Sequence, residues 1–324
     1  MINPRARGES GEKGAALIVV LLLVATLSFI LLSITNVVTT ATKRSAADRA
    51  RTDFYWRAAA GELIARQILE KYVATTPLKM APGEGIFAKA IEAPIEGGTA
   101  SIEFRDASLC FNINSLVAGA PGGFDENPAA IDSLVNLLTA IGLGEGESRR
   151  VTDVIVDYID TDSLSRAQGA EDGFYTALPV PFRTGSQLVA SLSELRALDG
   201  VSRSRFSAVS PYLCALATTA PGKVNLNWAK EAHAPVLLAL QPAGSRATIS
   251  DIKAAIAALP PGGLSDLAAL EPPLAGISEY ALTSDRIEAK ITLEVNDLTI
   301  EERLLFDTST PPVRLLGRTF GDDY

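Results

Sequence analysis

The sequence predicts an α+β chain: a long N-terminal helix, membrane-spanning in its first part, then short strands near either end of the remaining chain with a large helical region between them. Three observations predict it. First, no Asp, Glu, Lys or Arg occurs from Gly14 to Thr42, and Ala41 to Lys71 continues in helix-compatible composition with no Pro and Gly61 as its one Gly. Second, Thr99–Phe104 (TASIEF), Arg286–Val295 (RIEAKITLEV) and Thr299–Phe306 (TIEERLLF) alternate apolar and polar residues, the last two forming an antiparallel pair joined by Asn296-Asp297. Third, Ala129–Ile141, Arg149–Ile159 and Leu188–Leu198 carry apolar residues at helical spacing.

The opening element follows a short hydrophilic leader and begins GAALIVVLLL. Ala15 to Leu32 is almost wholly apolar, long enough for a helix to cross a hydrocarbon layer of roughly 30 Å. A secretory signal has a shorter apolar core followed by a small-residue cleavage site and a turn, and neither follows this run. From Ala15 to about Tyr72 the helix measures on the order of 85 Å at ~1.5 Å per residue. Arg44, Arg49, Arg51 and Arg57 beyond the apolar run compete with Arg5, Arg7 and Lys13 before it, so charge alone leaves the topology open. The Pro- and Gly-rich stretch Pro77–Gly85 ends the helix.

Two Asn-x-Asn segments, Asn112-Ile113-Asn114 and Asn225-Leu226-Asn227, bracket the helical region. At alternate positions of an extended strand both Asn side chains of a pair face one way, where they suit helix capping or backbone binding at a domain junction. The segment Leu188–Leu198 with Gly200-Val201-Ser202, and Asn225–Ala229 opening a further helix, have the pattern of helix-hairpin-helix or SAM-like units.

Composition excludes several functions. The chain has 324 residues and a net charge of −9, and its helical units lack the clustered Lys and Arg that contact with a DNA backbone requires, so nucleic acid is not an expected partner. His233 is the single histidine, which rules out a two-histidine metal site; its position near a helix end marks it as a surface or capping residue. Asp157, Asp160, Asp162, Glu171 and Asp172 crowd around a loop containing Gly169 and Gly173. Hard carboxylate oxygens on such a loop suit calcium, although the EF-hand spacing is absent; the alternative is a solvated acidic surface. Nothing beside these carboxylates supplies an oxyanion device, so catalysis is not expected. Cys110 and Cys214 are the only cysteines. In an oxidising compartment they would close a loop of about a hundred residues, worth roughly 4–5 kcal/mol in the chain-entropy model; in a reducing one they would stay thiols.

The charged leader, Gly14 and the apolar helix with its amphipathic continuation resemble the class III signal of type IV pilins and pseudopilins. That resemblance implies cleavage by a prepilin peptidase between Gly14 and Ala15, a cytoplasmic leader and a periplasmic body. Most such chains carry Glu as the fifth mature residue, where Val19 stands here. The ordered set DASLCFNINSL, VDYIDTD, GAEDGFY, SLSELRALDGVS, SPYLC and KVNLNWA is similar to the type II secretion system protein K family, over nearly the whole chain from Gly14 to about Asp307. The family implies a pilin domain, the long helix packed on the small antiparallel sheet, interrupted by a helical insertion. The expected divisions are a leader (1–14), the pilin helix and first part of the pilin domain (15–110), an inserted helical domain (111–220), a second SAM-like helical segment (221–280) and closing strands with a tail (281–324).

The function implied is that of a minor pseudopilin, single-pass in the inner membrane. It would assemble with minor pseudopilins I and J at the pseudopilus tip and initiate the filament that exports folded proteins. A tip subunit has no neighbour above it to pair with a carboxylate at Val19, and calcium binding is a feature of the family. Two other classes are a minor pilin of a type IV pilus or competence system, and a membrane-anchored periplasmic enzyme or calcium-dependent binding protein.

Overall fold

The structure, a computed structural model, describes residues 10–242, 244–295 and 298–320. The chain divides after Ala60 into two compact units. Helix α1 runs from Ser10 to Ala74, 65 residues without interruption. Gly14 and Ala15 lie within it. From Ala16 to Val38 its apolar side chains are exposed, Val19 at 62%. Several threonine hydroxyls among them bond back within the helix: Thr26 donates to the Leu23 carbonyl (2.9 Å), Thr35 to Leu31 (2.8 Å) and Thr39 to Thr35 (2.7 Å). Such back-bonding hides polar groups from an apolar surrounding. The helix stops where Thr76 turns to φ +48° and Pro77 forbids continuation.

In the second unit, the last turns of α1 cover one face of a five-stranded antiparallel sheet. Its strands are β1 (Ile91–Ile95), β2 (Gly98–Asp106), β3 (Arg286–Val295), β4 (Leu298–Asp307) and β5 (Arg314–Phe320), adjacent in that order. The register pairs Ile102 with Ile291 and Ile291 with Glu302, so the period of two aims one set of side chains at the helix. Ile102, Phe104, Ile287, Ala289, Ile291, Leu293, Leu304 and Phe306 are buried there with Ala65 and Leu69 of α1. Gly61 permits this approach, since a Cβ there would sit 3.3 Å from Ile291 Cγ2. The alternation of TASIEF, RIEAKITLEV and TIEERLLF is borne out as β2, β3 and β4, whereas β1 and β5 lack an alternation strong enough to predict them. The Asn296-Asp297 connection lies outside the described residues.

The chain leaves the sheet at Asp106 and returns at Arg286, where the Ala107 amide donates to the Arg286 carbonyl (3.1 Å). Between these points lie two lobes, each with its own core, and Val236 and Ala239 of the second lobe pack into the core of the first. The first holds α2 (Pro128–Ala140) and α3 (Glu145–Ile159), each within a residue or a turn of its expected span. The second holds the helices Ala234–Ala239 and Ile249–Ala257. Leu188–Leu198 does not form the expected helix. A 3-10 turn covers only Leu192–Ala197, because Ser191 and Glu194 close a capping box at its start and Val189 is held extended by Asn114.

The two lobes repeat one motif. Each opens with a two-residue strand ending in Asn, Phe111–Asn112 or Val224–Asn225, which pairs in parallel with a two-residue strand at the lobe's end, Leu213–Cys214 or Tyr280–Ala281. The Asn-x-Asn pairs do not continue as strand: the first Asn caps the next turn, Asn112 accepting from the Asn114 amide and Asn225 from the Asn227 amide. The second Asn then clamps a distant backbone. Asn114 donates to the Val189 carbonyl and accepts from the Val189 amide, both at 2.9 Å. Asn227 makes the same pair of bonds to Leu264, at 3.3 and 2.6 Å.

Candidate metal centre

The acidic loop grows out of the C-terminus of α3. Asp160 follows Ile159 as the helix C-cap, its amide donating to the Val156 carbonyl (2.9 Å), so its carboxylate is fixed against the lobe core. The chain returns at Glu171, which caps the short helix Asp172–Tyr175. This geometry brings Asp160, Asp162 and Glu171 together, one carboxylate oxygen from each lying within 4.8 Å of the others. Asp160 is buried, 1% exposed, and neither of its carboxylate oxygens has a hydrogen-bond partner among the described residues; Glu171 Oε1 is in the same state. Burial, reinforced by Asp162, Glu171, Asp157 and Glu126, pushes the Asp160 carboxyl up to about 7. Burial and the charge of Asp157 also raise Glu171. Asp162, the exposed member, accepts from the Leu164 amide (2.7 Å), so the unpartnered oxygens are those of Asp160 and Glu171 Oε1. Unpartnered carboxylate oxygens of that kind, converging with a third carboxylate, are costly alone and match the oxygen donors of a hard divalent cation.

The other two carboxylates of the predicted set are held by protein groups. Asp157 accepts from the Ser165 hydroxyl and the Arg166 amide, each at 3.2 Å, and burial still raises it. The backbone presses on it closely enough that a Cβ at Gly169 would meet Asp157 Oδ2 at 2.0 Å, so any side chain there would displace the carboxylate. Asp172 accepts from the Thr184 amide (2.7 Å) and hydroxyl (2.9 Å), which hold its carboxyl below the usual range. Arg166 anchors the loop from beneath, pairing with Glu126 (2.5 Å) and Asp153 (2.7 Å). Sequence reading missed this anchor, because Glu126, Asp153 and Arg166 share no local spacing.

Cys110 and Cys214 form a disulfide across the ends of the first lobe, with Cα atoms 5.6 Å apart. His233 ends a 3-10 turn and its Nδ1 accepts from the Lys230 amide (3.1 Å), a local cap. One functional-looking group was not foreseen. Glu302 is fully buried on the helix-facing side of β4, 2.9 Å from Arg318 of β5, and Arg318 also pairs with Glu62 of α1. The signal was in the alternation itself, since Ile300, Glu302, Leu304 and Phe306 share one strand face.

Comparison with known proteins bears on these features. The model of the family described as type II secretion system (T2SS), protein K, matches residues 109–218, the first lobe with its disulfide and acidic loop. The type II secretion system protein K of Pectobacterium carotovorum subsp. carotovorum is 30% identical over 323 residues, 97% of this chain and 98% of that protein. That of Aeromonas hydrophila is 28% identical over 300 residues, 88% of this chain and 90% of the other. Among solved structures, a chain of the GspK-GspI-GspJ complex from enterotoxigenic Escherichia coli shares the fold, with a TM-score of 0.70 at 21% identity over 86% of this chain and all of that one.

Proposed function

The chain belongs to the type II secretion system protein K family, and from that premise we propose that it is a minor pseudopilin standing at the tip of the pseudopilus, where it starts the filament that moves folded proteins across the outer membrane. The observation that carries this reading is α1: one unbroken helix whose first part is uncharged and apolar and whose last turns form a wall of the sheet core. A helix of that kind serves first as a membrane anchor and then, drawn out of the bilayer, as the packed stem of a helical bundle, protein contacts replacing lipid contacts. Val19 supports the tip position, since a carboxylate there would have no amino terminus above it to neutralise.

The solved relative of this fold comes from a complex with GspI and GspJ, which supports minor pseudopilins I and J as the partners. The chain would sit in the inner membrane as a single-pass protein with a cytoplasmic leader of residues 1–14. The pilin domain would comprise 15–110 with 281–324, and residues 111–220 and 221–280 would be the two inserted segments. The role is structural and calls for no catalysis. Calcium would be held by Asp160, Asp162 and Glu171, with Asp157 and Asp172 as the surrounding shell; it would supply charge neutralisation and order to the loop.

Processing tests the reading. Gly14→Val removes the small residue beside the apolar helix that a prepilin peptidase requires. The variant should remain an uncleaved, membrane-bound precursor, whereas the parent chain should begin at Ala15 on amino-terminal sequencing. An unchanged mature terminus in Gly14→Val would remove the pseudopilin assignment.

A further inference from the structure

The uncharged run of α1 ends at a group of cations: Lys43 and Arg44 come first, with Arg49 further along. All three are exposed, and among the described residues none of them has an ion-pair partner, while the nearby Arg57 is paired with Asp53. Their setting is unusual for this chain, whose net charge is −9. The rise of the helix fixes their depth. If Leu17–Val38 fill the hydrocarbon layer, Lys43 and Arg44 have their Cα atoms roughly 7–9 Å beyond its edge at ~1.5 Å per residue. Helical side chains lean toward the helix N-terminus, here toward the bilayer, and Lys and Arg stems are long enough to return their charges to the headgroup layer. Arg49 lies about 16 Å beyond, too far for contact and near the limit of its field at physiological salt.

We propose that Lys43 and Arg44 form a collar that binds the phosphates of anionic lipids in the leaflet on the body side of the membrane, fixing how deep the unassembled chain sits. The inference rests on reading α1 as a membrane span. It goes beyond that reading by assigning the headgroup chemistry and the residues that recognise it. Two adjacent residues at helical spacing point about 100° apart, so the pair covers two lipid positions around the helix and not one. The acidic body offers the same leaflet no attraction, which concentrates lipid recognition at this one level of the helix.

The test uses the full-length chain in a neutral detergent, with bound lipids counted by native mass spectrometry during titration with phosphatidylglycerol or phosphatidylcholine. The parent should prefer phosphatidylglycerol roughly thirtyfold at low salt, as expected for two cations at an anionic surface, and lose most of that preference at about 0.5 M NaCl. Lys43→Gln with Arg44→Gln, both on exposed helix surface and both replaced by a good helix former, should lose most of the preference for phosphatidylglycerol and keep its affinity for phosphatidylcholine. Equal binding of the two lipids by the parent, or an undiminished preference in the double variant, would overturn the proposal; the cations would then belong to carboxylates of a neighbouring subunit. Failure of the parent to bind either lipid, together with its release from membranes by alkaline carbonate, would instead remove the membrane-span reading on which the proposal rests.

Discussion

Asn114→Ala should be among the most damaging single changes outside the apolar cores. The side chain is fully buried and makes three bonds to backbone far away in sequence: to the Val189 carbonyl (2.9 Å), from the Val189 amide (2.9 Å) and to the Leu216 carbonyl (2.7 Å). Val189 and Leu216 are buried as well, so truncation strands three backbone groups that water reaches poorly. At about 1–3 kcal/mol per stranded group, with some relaxation, the loss is about 3–6 kcal/mol. For a domain of this size that corresponds to a fall in melting temperature of about 10–20 °C. Asn227→Ala is the internal control. Its side chain holds one residue, Leu264, in a partly exposed site, so it should lose about 1–3 kcal/mol. Asn114→Asp keeps an acceptor for the Val189 amide but aims a charge at two carbonyls, and should be no better than Ala. The assay is the thermal and urea midpoint of a soluble fragment beginning at Ala46. An Asn114→Ala midpoint no lower than that of Asn227→Ala would show that the clamp is not what holds the first lobe together.

Calcium at about one hundred times its dissociation constant should stabilise the same fragment by about 2.7 kcal/mol through mass action, raising the melting temperature by several degrees; Asp160→Ala with Glu171→Ala should abolish the shift, and indifference of the parent to chelator would reduce the cluster to acidic surface. The Cys110–Cys214 bridge spans a sequence separation of 104, so Cys110→Ser with Cys214→Ser should cost roughly 4–5 kcal/mol in the chain-entropy model, read as the gap between the urea midpoints of the oxidised parent and the variant. Glu302 is pushed up to about 7 by burial, with Arg318 opposing and Glu62 adding to the rise. The folded state therefore binds this proton more tightly than the unfolded chain, and the contribution of Glu302 to stability grows as pH falls from about 7 toward the ordinary glutamate range. Glu302→Gln should thus gain relative to the parent at pH 8 and lose that advantage by about pH 5; an advantage independent of pH would refute the assignment.

What could be read from the sequence followed the range of the signal. The apolar run and its continuation announce α1, because hydropathy and the absence of Pro are local properties. Alternation marks β2, β3 and β4, since each lies across the helix-facing core. It misses β1, where Pro94 interrupts the pattern, and β5, where exposed Leu316 and Phe320 break the inward–outward rule at the sheet edge. The acidic loop was visible as composition, but its division was not. Asp160, Asp162 and Glu171 converge while Asp157 and Asp172 are held by Ser165, Arg166 and Thr184, and only the path of the folded loop decides which carboxylate meets which donor. Leu188–Leu198 misled for a related reason. Its helical spacing is real, yet Asn114, distant in sequence, binds Val189 and keeps it extended.

The repeated lobe gives an argument about the acidic loop that neither lobe gives alone. In the second lobe, residues 258–263 suffice to carry the chain from the helix Ile249–Ala257 to the clamped Leu264. In the first, the equivalent passage from α3 to the clamped Val189 takes residues 160–188 and contains Asp160, Asp162, Glu171 and Asp172. The lobe fold therefore closes without such an excursion, and the folding of the first lobe does not explain its presence. It is also unfavourable as it stands: Asp160 is buried with both carboxylate oxygens unpartnered, and the neighbouring Asp162 and Glu171 deepen the cost by repulsion. A solvated acidic surface would let these side chains turn outward. Asp160 instead is locked inward as the cap of α3, and Arg166, spent on Glu126 and Asp153, offers it no neutralisation. An added segment that holds uncompensated anionic oxygens rigidly toward one point makes physical sense when a cation completes it, and this asymmetry between two otherwise matching lobes is the strongest structural support for the calcium proposal.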